Sequence, residues 1–159
     1  MATQGNKSLH EGIPVIKDAF VVIVKTEWNS PIVDKLEEGA VAVLQNEGVS
    51  FKTISVPGAF ELPYAIKSYH AWAKEKASAF IALGTVIKGD TPHFDYVCKA
   101  VTDGILQMNL LLDVPVVFGV LTVNTEEQAL ERIGGIHGHK GEEAAITALK
   151  MIALSESFK

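Results

Sequence analysis

The sequence predicts an α/β fold with three layers, α/β/α, in which helices flank a four-stranded parallel sheet. Three observations support this prediction. Short runs of β-branched residues alternate along the chain with segments whose apolar residues recur every three or four positions. Turn residues and helix caps separate these two kinds of segment. The chain has 159 residues and is 48% hydrophobic, which suffices for the core of one domain, residues 1–159.

The first strand and the first helix follow a polar start. We expect residues 1–14 to form a flexible arm or to contact a neighbouring subunit. Residues 20–25 (FVVIVK) predict a strand because β-branched side chains dominate them. Ser30 followed by Pro31 predicts the start of a helix, with Ser30 as its cap, and Gly48 predicts its end.

The second strand ends in a turn that carries candidate site residues. Residues 51–56 (FKTISV) predict the strand, and Pro57 with Gly58 predicts the turn. Glu61 falls in the first turn of the next helix, which we expect to run to about Lys76. A carboxylate there complements the helix dipole, so Glu61 has a structural explanation as well as a ligand-binding one.

The third strand leads into the longest predicted helix. Residues 79–87 (AFIALGTVI) predict a buried strand, and residues 88–90 predict a turn. Thr91 as N-cap and Pro92 as the first helical residue predict the start of the helix.

This helix start is predicted to bind an anion. The backbone amides of His93 and Phe94 would point freely beyond the end of the strand, where the helix dipole is positive. Lys88 adds a cation beside them, and the imidazole of His93 adds a group that can move protons.

The last part of the chain predicts one strand and two helices. Residues 114–123 (VPVVFGVLTV) predict the fourth strand, and residues 125–128 (TEEQ) form a capping box that starts a short helix. Residues 134–135 (GG) are expected to end this helix, and the final helix is expected to start near Lys140.

The candidate site residues gather at one edge of the predicted sheet. In open parallel sheets the ligand crevice lies beyond the carboxyl ends of the strands, which is where residues 28–29, 58–61 and 86–93 fall. Trp28 has two interpretations at this position: a core residue that closes the sheet, or a ring that stacks on a flat substrate.

Two cations near the C-terminus stand out. Lys140 lies at a helix start, where a positive charge opposes the dipole, so a ligand or an acidic partner explains it better than the helix does. Arg132 near a helix end suits the dipole and is explained by the helix unless a phosphate lies beside it.

Composition limits the partners and the compartment. A net charge of −5 without any block of Lys and Arg argues against nucleic acid and against an acidic membrane surface. We expect a cytoplasmic protein, because residues 1–11 lack the apolar centre of a signal peptide and no run reaches membrane-spanning length. The mean hydropathy of +0.22 predicts buried contacts between subunits.

Several familiar sites are disfavoured. The single cysteine, Cys98, excludes an internal disulfide and is expected to fill space on an apolar helix. His137 and His139 lie in a glycine-rich loop without an obvious carboxylate partner, so we predict no metal site. The turn at 89–91 lacks the glycines of a Walker loop or a dinucleotide fingerprint, which argues against ATP or NAD.

The chain resembles the lumazine synthase family of riboflavin biosynthesis. Similar segments occur in order over nearly the whole chain: WNSPI (28–32), VPGAFELP (56–63), GTVIKGDTPHFDYV (84–97), PVVFGVLT (115–122) and HGHKGEEAA (137–145). The resemblance implies a flavodoxin-like fold. It also implies a transferase that condenses 5-amino-6-(ribitylamino)uracil with 3,4-dihydroxy-2-butanone 4-phosphate and releases phosphate and water, without a metal or other cofactor.

The resemblance assigns a role to each candidate residue. His93 would be the catalytic proton shuttle. The pyrimidine and its ribityl chain would be bound by Trp28, which is often Phe in this family, and by Asn29, Gly58, Ala59, Phe60, Glu61, Val86, Ile87, Lys88, Phe118 and Lys140. The phosphate would be bound by Asp90, Thr91 and Arg132. Among these, Phe118, Arg132 and Lys140 would come from a neighbouring subunit.

The resemblance also implies an assembly. The family forms homopentamers with shared active sites, and in some members pentamers build an icosahedral shell; riboflavin synthase is a further partner. The connection between Arg132 and Lys140 is short and glycine-rich, as in the shell-forming members. Two alternatives remain: a non-catalytic flavodoxin-like module that binds a flavin or a phosphate, and a structural shell protein.

Overall fold

The structure, a computed structural model, describes residues 7–159 and contains the predicted parallel sheet. Its four strands lie in the order β2-β1-β3-β4, and every neighbouring pair is parallel. The strand bounds are β1 Phe20–Thr26, β2 Ser50–Val56, β3 Ala79–Ile87 and β4 Val116–Val123. The predicted strands are therefore confirmed to within two residues at each end.

Helices cover both faces of this sheet. The helices are α1 Ser30–Asn46, α2 Leu62–Trp72, α3 His93–Leu111, α4 Glu126–Leu130 and α5 Lys140–Ser157. Two short 3-10 turns, Lys7–His10 and Ala59–Glu61, precede β1 and α2. A small antiparallel hairpin, β5 Ile133–Gly135 and β6 Gly138–His139, lies between α4 and α5.

Alternating side chains of the strands build two cores. Val21 and Ile23 of β1 point into a core shared with α1 and α5, and Val22 and Val24 point into a core shared with α2 and α3. These two groups of helices form the outer layers, so the predicted α/β/α arrangement is confirmed. None of the helices in residues 7–159 is long and apolar enough to span a membrane.

Two predicted helix caps are wrong by one residue. Asn29, not Ser30, is the cap residue of α1; its backbone is left-handed with φ 59°, and its carbonyl accepts the first amides of the helix. Pro92, not Thr91, precedes α3, and its carbonyl accepts the amide of Asp95 at 3.0 Å. The predicted end of α1 is confirmed, because Gly48 has the φ of +68° that follows many helix ends.

Helix α2 is shorter than predicted. It ends at Trp72 instead of near Lys76, since Ala73 is extended. Lys76 Nζ instead donates to the carbonyl of His70 at 3.1 Å, which satisfies one acceptor at the helix end. Glu61 belongs to the 3-10 turn before this helix.

Helices α1 and α5 pack closely because small residues face each other. A Cβ on Gly141 would lie 1.9 Å from the carbonyl oxygen of Leu36, so a larger residue cannot occupy this position. The imidazole of His139 lies over Gly39 in the same way, 2.1 Å from a Cβ built there. Gly141 and His139 thus have a packing explanation.

Candidate active site

A crevice of about 530 Å³ opens beyond the carboxyl ends of β1, β2 and β3, on the side of α2 and α3. It brings together residues from three loops that are far apart in the sequence. Its lining is Thr26, Trp28, Asn29, Pro57, Gly58, Ala59, Phe60, Glu61, Thr85, Val86, Ile87, Gly89, Thr91, His93, Phe94 and Val97. Most of the predicted site residues are therefore neighbours in this chain, as expected at this edge of a parallel sheet.

Trp28 extends into the crevice from the loop between β1 and α1. Its side chain is 71% exposed, so the interpretation of Trp28 as a core residue is wrong. Its backbone, by contrast, is fixed: the amide donates to Pro57 O at 3.2 Å, and the hydroxyl of Thr26 donates to Trp28 O at 3.2 Å. Trp28 therefore exposes a flat aromatic ring on a backbone that hydrogen bonds hold in place.

Asn29 connects this loop to the end of β3. Its Nδ2 donates to the carbonyl of Thr85 at 2.8 Å, although the two residues are 56 positions apart. Its left-handed backbone is one that asparagine tolerates better than most residues. The amide oxygen of Asn29 makes no hydrogen bond to any part of the chain that the structure describes, and it remains available to a hydroxyl donor.

The loop before α2 adds a carboxylate and a second ring. A Cβ on Gly58 would lie 3.2 Å from Oε2 of Glu61 and 3.7 Å from Cε3 of Trp28, so the glycine lets these two side chains approach each other. Phe60 is 65% exposed beside them. The carboxylate of Glu61 makes no hydrogen bond or ion pair within residues 7–159, so it can accept bonds from a ligand.

The loop between β3 and α3 forms the remaining wall. Val86 and Ile87 are half-buried, and Thr91 and His93 are exposed at the rim. The amides of His93 and Phe94 donate to no acceptor in the described part of the chain, so the donors predicted for an anion are present.

Gly89 in this loop has no structural requirement for glycine. Nothing lies within 4 Å of a Cβ built there, and its φ is not in the left-handed region. Close approach of a group from outside the chain would explain the missing side chain. Lys88 and Asp90 are exposed next to Gly89 but do not line the crevice; the amide of Lys88 continues the sheet by donating to Val123 O at 2.9 Å.

The two C-terminal cations lie elsewhere, in a corner made of α4, the β5–β6 hairpin and the first turn of α5. Arg132 Nη1 donates to the carbonyl of Gln128 at 2.7 Å and lies 3.7 Å from Oε2 of Glu131. Lys140 Nζ donates to both carboxylate oxygens of Glu143 at 2.8 Å. The inference that the local structure gains nothing from Lys140 is therefore wrong, because an acidic partner lies one helical turn away.

Phe118 is also outside the crevice. It lies on the edge strand β4, paired in register with Ala82, and it is 42% exposed on the α2–α3 face. The crevice of this chain is thus lined without Phe118, Arg132 or Lys140.

The remaining candidates fit structural roles. His139 Nδ1 accepts the amide of Glu142 at 3.4 Å and caps α5, while His137 Nε2 lies 3.5 Å from Glu131 Oε2. Residues 7–159 contain no group of His, Cys, Asp and Glu arranged to hold a metal ion. Burial, together with the charge of Asp95, raises the pKa of the Cys98 thiol, which disfavours a reactive thiolate.

Sequence reasoning did not single out several lining residues. Thr26 and Thr85 continue the apolar pattern of their strands and are almost fully buried, so they resembled core positions. The hydroxyl of Thr85 is buried without a hydrogen-bond partner in the described residues. The position of Thr85 within the segment GTVIK, directly before two predicted lining residues, was the available signal.

Comparison with known proteins identifies relatives over most of the chain. The profile of the family described as 6,7-dimethyl-8-ribityllumazine synthase matches residues 18–156. Proteins of that name from three bacteria are similar. The one from Porphyromonas gingivalis is 50% identical over 91% of both chains, and the one from Parabacteroides distasonis is 47% identical over 90% of both. The one from Christiangramia forsetii is 44% identical over 100% of this chain and 98% of its own.

Proposed function

Because the chain belongs to the 6,7-dimethyl-8-ribityllumazine synthase family, we propose that its crevice joins 5-amino-6-(ribitylamino)uracil to 3,4-dihydroxy-2-butanone 4-phosphate. The products are the lumazine, phosphate and water, and the step belongs to riboflavin biosynthesis. The observation that carries the proposal is the meeting of an exposed aromatic ring, a free carboxylate and free helix-start amides in one crevice. The aromatic ring can stack on the pyrimidine, the carboxylate can accept hydrogen bonds from the ribityl hydroxyls, and the amides can donate to the phosphate.

The pyrimidinedione and its ribityl chain occupy the part of the crevice near β1 and β2. The exposed ring of Trp28 stacks on the pyrimidine, next to Val86 and Ile87. The free oxygen of Asn29 and the carboxylate of Glu61 accept hydrogen bonds from ribityl hydroxyls, beside the backbone of residues 58–60. Lys88, exposed just outside the crevice, would have to turn its side chain inward to reach the ring.

The sugar phosphate lies at the start of α3. Its phosphate accepts bonds from the amides of His93 and Phe94, from the hydroxyl of Thr91 and from the backbone at Asp90, and Gly89 leaves room for it. The primary amine of the pyrimidine attacks the ketone, and the carbonyl oxygen leaves as a first water to give an imine. Loss of a proton from the neighbouring carbon then expels phosphate and leaves an enol that becomes a new carbonyl group. The ribityl-bearing nitrogen then closes the ring with loss of water. His93 moves the protons in these steps.

A neighbouring subunit completes the site. Phe118, Arg132 and Lys140 lie outside the crevice of their own chain, and Arg132 and Lys140 belong to the corner next to the α1–α5 layer. Acceptors in the same chain hold both cations in place, and we infer that they face the crevice of the neighbouring subunit. We infer that the neighbour's Phe118 borders the ring, its Arg132 binds the phosphate and its Lys140 binds a ring carbonyl.

This arrangement requires a closed ring of subunits, since each chain gives one surface and receives another. We propose a homopentamer of single-domain chains, residues 1–159, in which residues 1–14 contact a neighbour; residues 1–6 lie outside the described part. Exposed Leu106 and Leu110 on α3 supply apolar contact area.

The short hairpin between Arg132 and Lys140 favours an icosahedral shell of pentamers. Riboflavin synthase as a partner and the cytoplasm as the compartment are proposed on the family resemblance alone. Native mass measurement tests the assembly. Pentamers alone at all concentrations would contradict the shell.

Mixing the two substrates with the protein tests the activity. We expect lumazine absorbance and free phosphate to appear in equal amounts. Binding of either compound without turnover would instead favour the non-catalytic module, and an assembled protein that neither binds nor turns over substrate would favour the structural shell protein.

A further inference from the structure

A lysine and two carboxylates join β1 to α1 next to the crevice. Lys25 is the penultimate residue of β1, on the same sheet face as the buried side chains of Val21 and Ile23. Its Nζ donates to Asp34 Oδ1 at 2.9 Å and also to Glu37 Oε2. The side chains of Lys25 and Glu37 are only 19% and 22% exposed, so most of this ion group is removed from water.

Net stability is a weak explanation for this group. Burial alone would lower the pKa of Lys25, but its hydrogen bonds to Glu37 and Asp34 hold the pKa above its usual value, so the ammonium stays charged. A buried ion pair seldom stabilises a fold more than apolar residues of similar size would. Its distinctive contribution is geometric: an ammonium that meets two carboxylates on one helix fixes the position of α1 along β1 and its rotation.

The position of α1 relative to β1 determines where the loop between them lies. The ion group links the two ends of the segment 26–33, which contains Trp28 and Asn29. Asn29 is the cap residue of α1, and its hydrogen bond to Thr85 O depends on the position of that helix. The exposed ring of Trp28 has little packing of its own to hold it. A shift of α1 would therefore move Asn29 directly and would pull on the adjoining backbone of Trp28, whose amide is bonded to Pro57 O.

We propose that Lys25, acting through Asp34 and Glu37, is a positioning residue that sets Trp28 and Asn29 for the pyrimidinedione. The inference rests on the proposed function, because it concerns how the same crevice binds its ring substrate. Lys25 itself does not line the crevice.

Steady-state kinetics of Lys25→Met tests the proposal. We expect the KM for the pyrimidinedione to rise roughly tenfold, since a small displacement of binding groups has a large effect. The KM for the sugar phosphate and kcat should change less than about twofold, because the groups at the start of α3 are not displaced. Lys25→Arg keeps both ion pairs and should restore the wild-type KM.

Lys35 provides the matched control. It lies on the same helix and pairs with Glu38 at 2.6 Å, but both side chains are more than half exposed and neither forms a hydrogen bond or ion pair with β1. Lys35→Met should leave both KM values unchanged. If Lys25→Met does not fold, Asp34→Asn, at a half-exposed partner, should still raise the pyrimidinedione KM about threefold.

Two results would overturn the inference. One is equal rises in both KM values, and the other is a loss of thermal stability with both KM values unchanged; either would make Lys25 a merely structural residue. An unchanged pyrimidinedione KM in Asp34→Asn would also count against it. Absence of turnover in the wild-type protein is a different outcome, because it would refute the proposed function itself.

Discussion

The crevice and the α4–α5 corner hold their polar groups in opposite states. In the crevice, the side chains of Glu61, Thr91 and His93 have no hydrogen-bond partner within residues 7–159. In the corner, Arg132 and Lys140 are each held by an acceptor of their own chain. Unpaired groups in a concave site indicate a ligand, whereas the half-buried cations of the corner are held in place by acceptors of their own chain.

This difference teaches how the proposed site is divided. In the proposed site, the part assigned to surround the substrates is built from three loops of one chain, and the part assigned to supply positive charge lies elsewhere in that chain. The proposal therefore needs both regions to bind the two substrates and neutralise the phosphate. The predictions below alter one region at a time, from the largest expected effect to the smallest.

The largest effect is expected in the crevice, at the group that moves protons. His93→Ala should lower kcat by about two orders of magnitude or more, because general acid–base catalysis contributes that much. Assembly and thermal stability should be preserved, since His93 is exposed. Stopped-flow or steady-state absorbance measures the effect, and His70→Gln is the control, since His70 Nε2 lies 3.3 Å from Asp113 Oδ1 and away from the crevice. A kcat close to that of the wild type would remove His93 from the mechanism.

The second-largest effect, a change in KM, is expected from substitutions in the α4–α5 corner. Arg132→Ala should raise the KM for the sugar phosphate about 10- to 100-fold, the range expected for a lost charged hydrogen bond. The KM for the pyrimidinedione should change little. Lys140→Ala should show the reverse pattern, because Lys140 is proposed to bind a ring carbonyl. Equal effects of either variant on both substrates would contradict the division of roles.

A smaller effect is expected from the exposed ring in the crevice. Trp28→Ala should raise the KM for the pyrimidinedione about tenfold, as for loss of other stacked rings. Trp28→Phe should keep most of the affinity, and neither variant should lower the melting temperature much, since the side chain is largely exposed. A large drop in melting temperature with an unchanged KM would return Trp28 to a core role.

The smallest effect concerns stability of the corner and leaves catalysis unchanged. His139→Ala should lower the free energy of unfolding by about 1 kcal/mol through loss of the cap on α5, and by a further amount through loss of the imidazole that packs over Gly39. His139→Asn, which can still cap, should lower it less. Denaturant titration measures both, and chelator treatment should shift neither curve. A chelator-dependent loss of stability would instead support a metal at His137 and His139.

The crevice was predictable from the sequence because its parts obey general rules. Strands rich in β-branched residues were found almost to the residue, and the carboxyl ends of parallel strands must meet at one edge. The loops at Trp28, at Gly58 and Glu61, and at His93 therefore had to converge. The general rules did not predict the detailed geometry, such as the left-handed backbone of Asn29 and its hydrogen bond to the carbonyl of Thr85.

The corner was less predictable, because its structure depends on contacts between segments. The glycines at 134–135 were expected only to end a helix, but they form a hairpin with Gly138 and His139. The capping function of His139 was hidden, since histidine is not a usual cap residue. The pairing of Lys140 with Glu143, by contrast, followed from an ordinary three-residue spacing and could have been foreseen.

Mixed refolding of two impaired variants tests most directly whether one site is built from two chains. Equal amounts of His93→Ala and Arg132→Ala subunits are unfolded, refolded together and assayed at a sugar phosphate concentration well below the wild-type KM, where the Arg132→Ala variant has little activity. If His93 of one chain works with Arg132 of the next, about a quarter of the crevices regain both residues, and activity should return to about a quarter of the wild-type level. Activity no higher than the average of the two separate variants, in verified mixed assemblies, would show that the two residues act within one chain and would contradict the account.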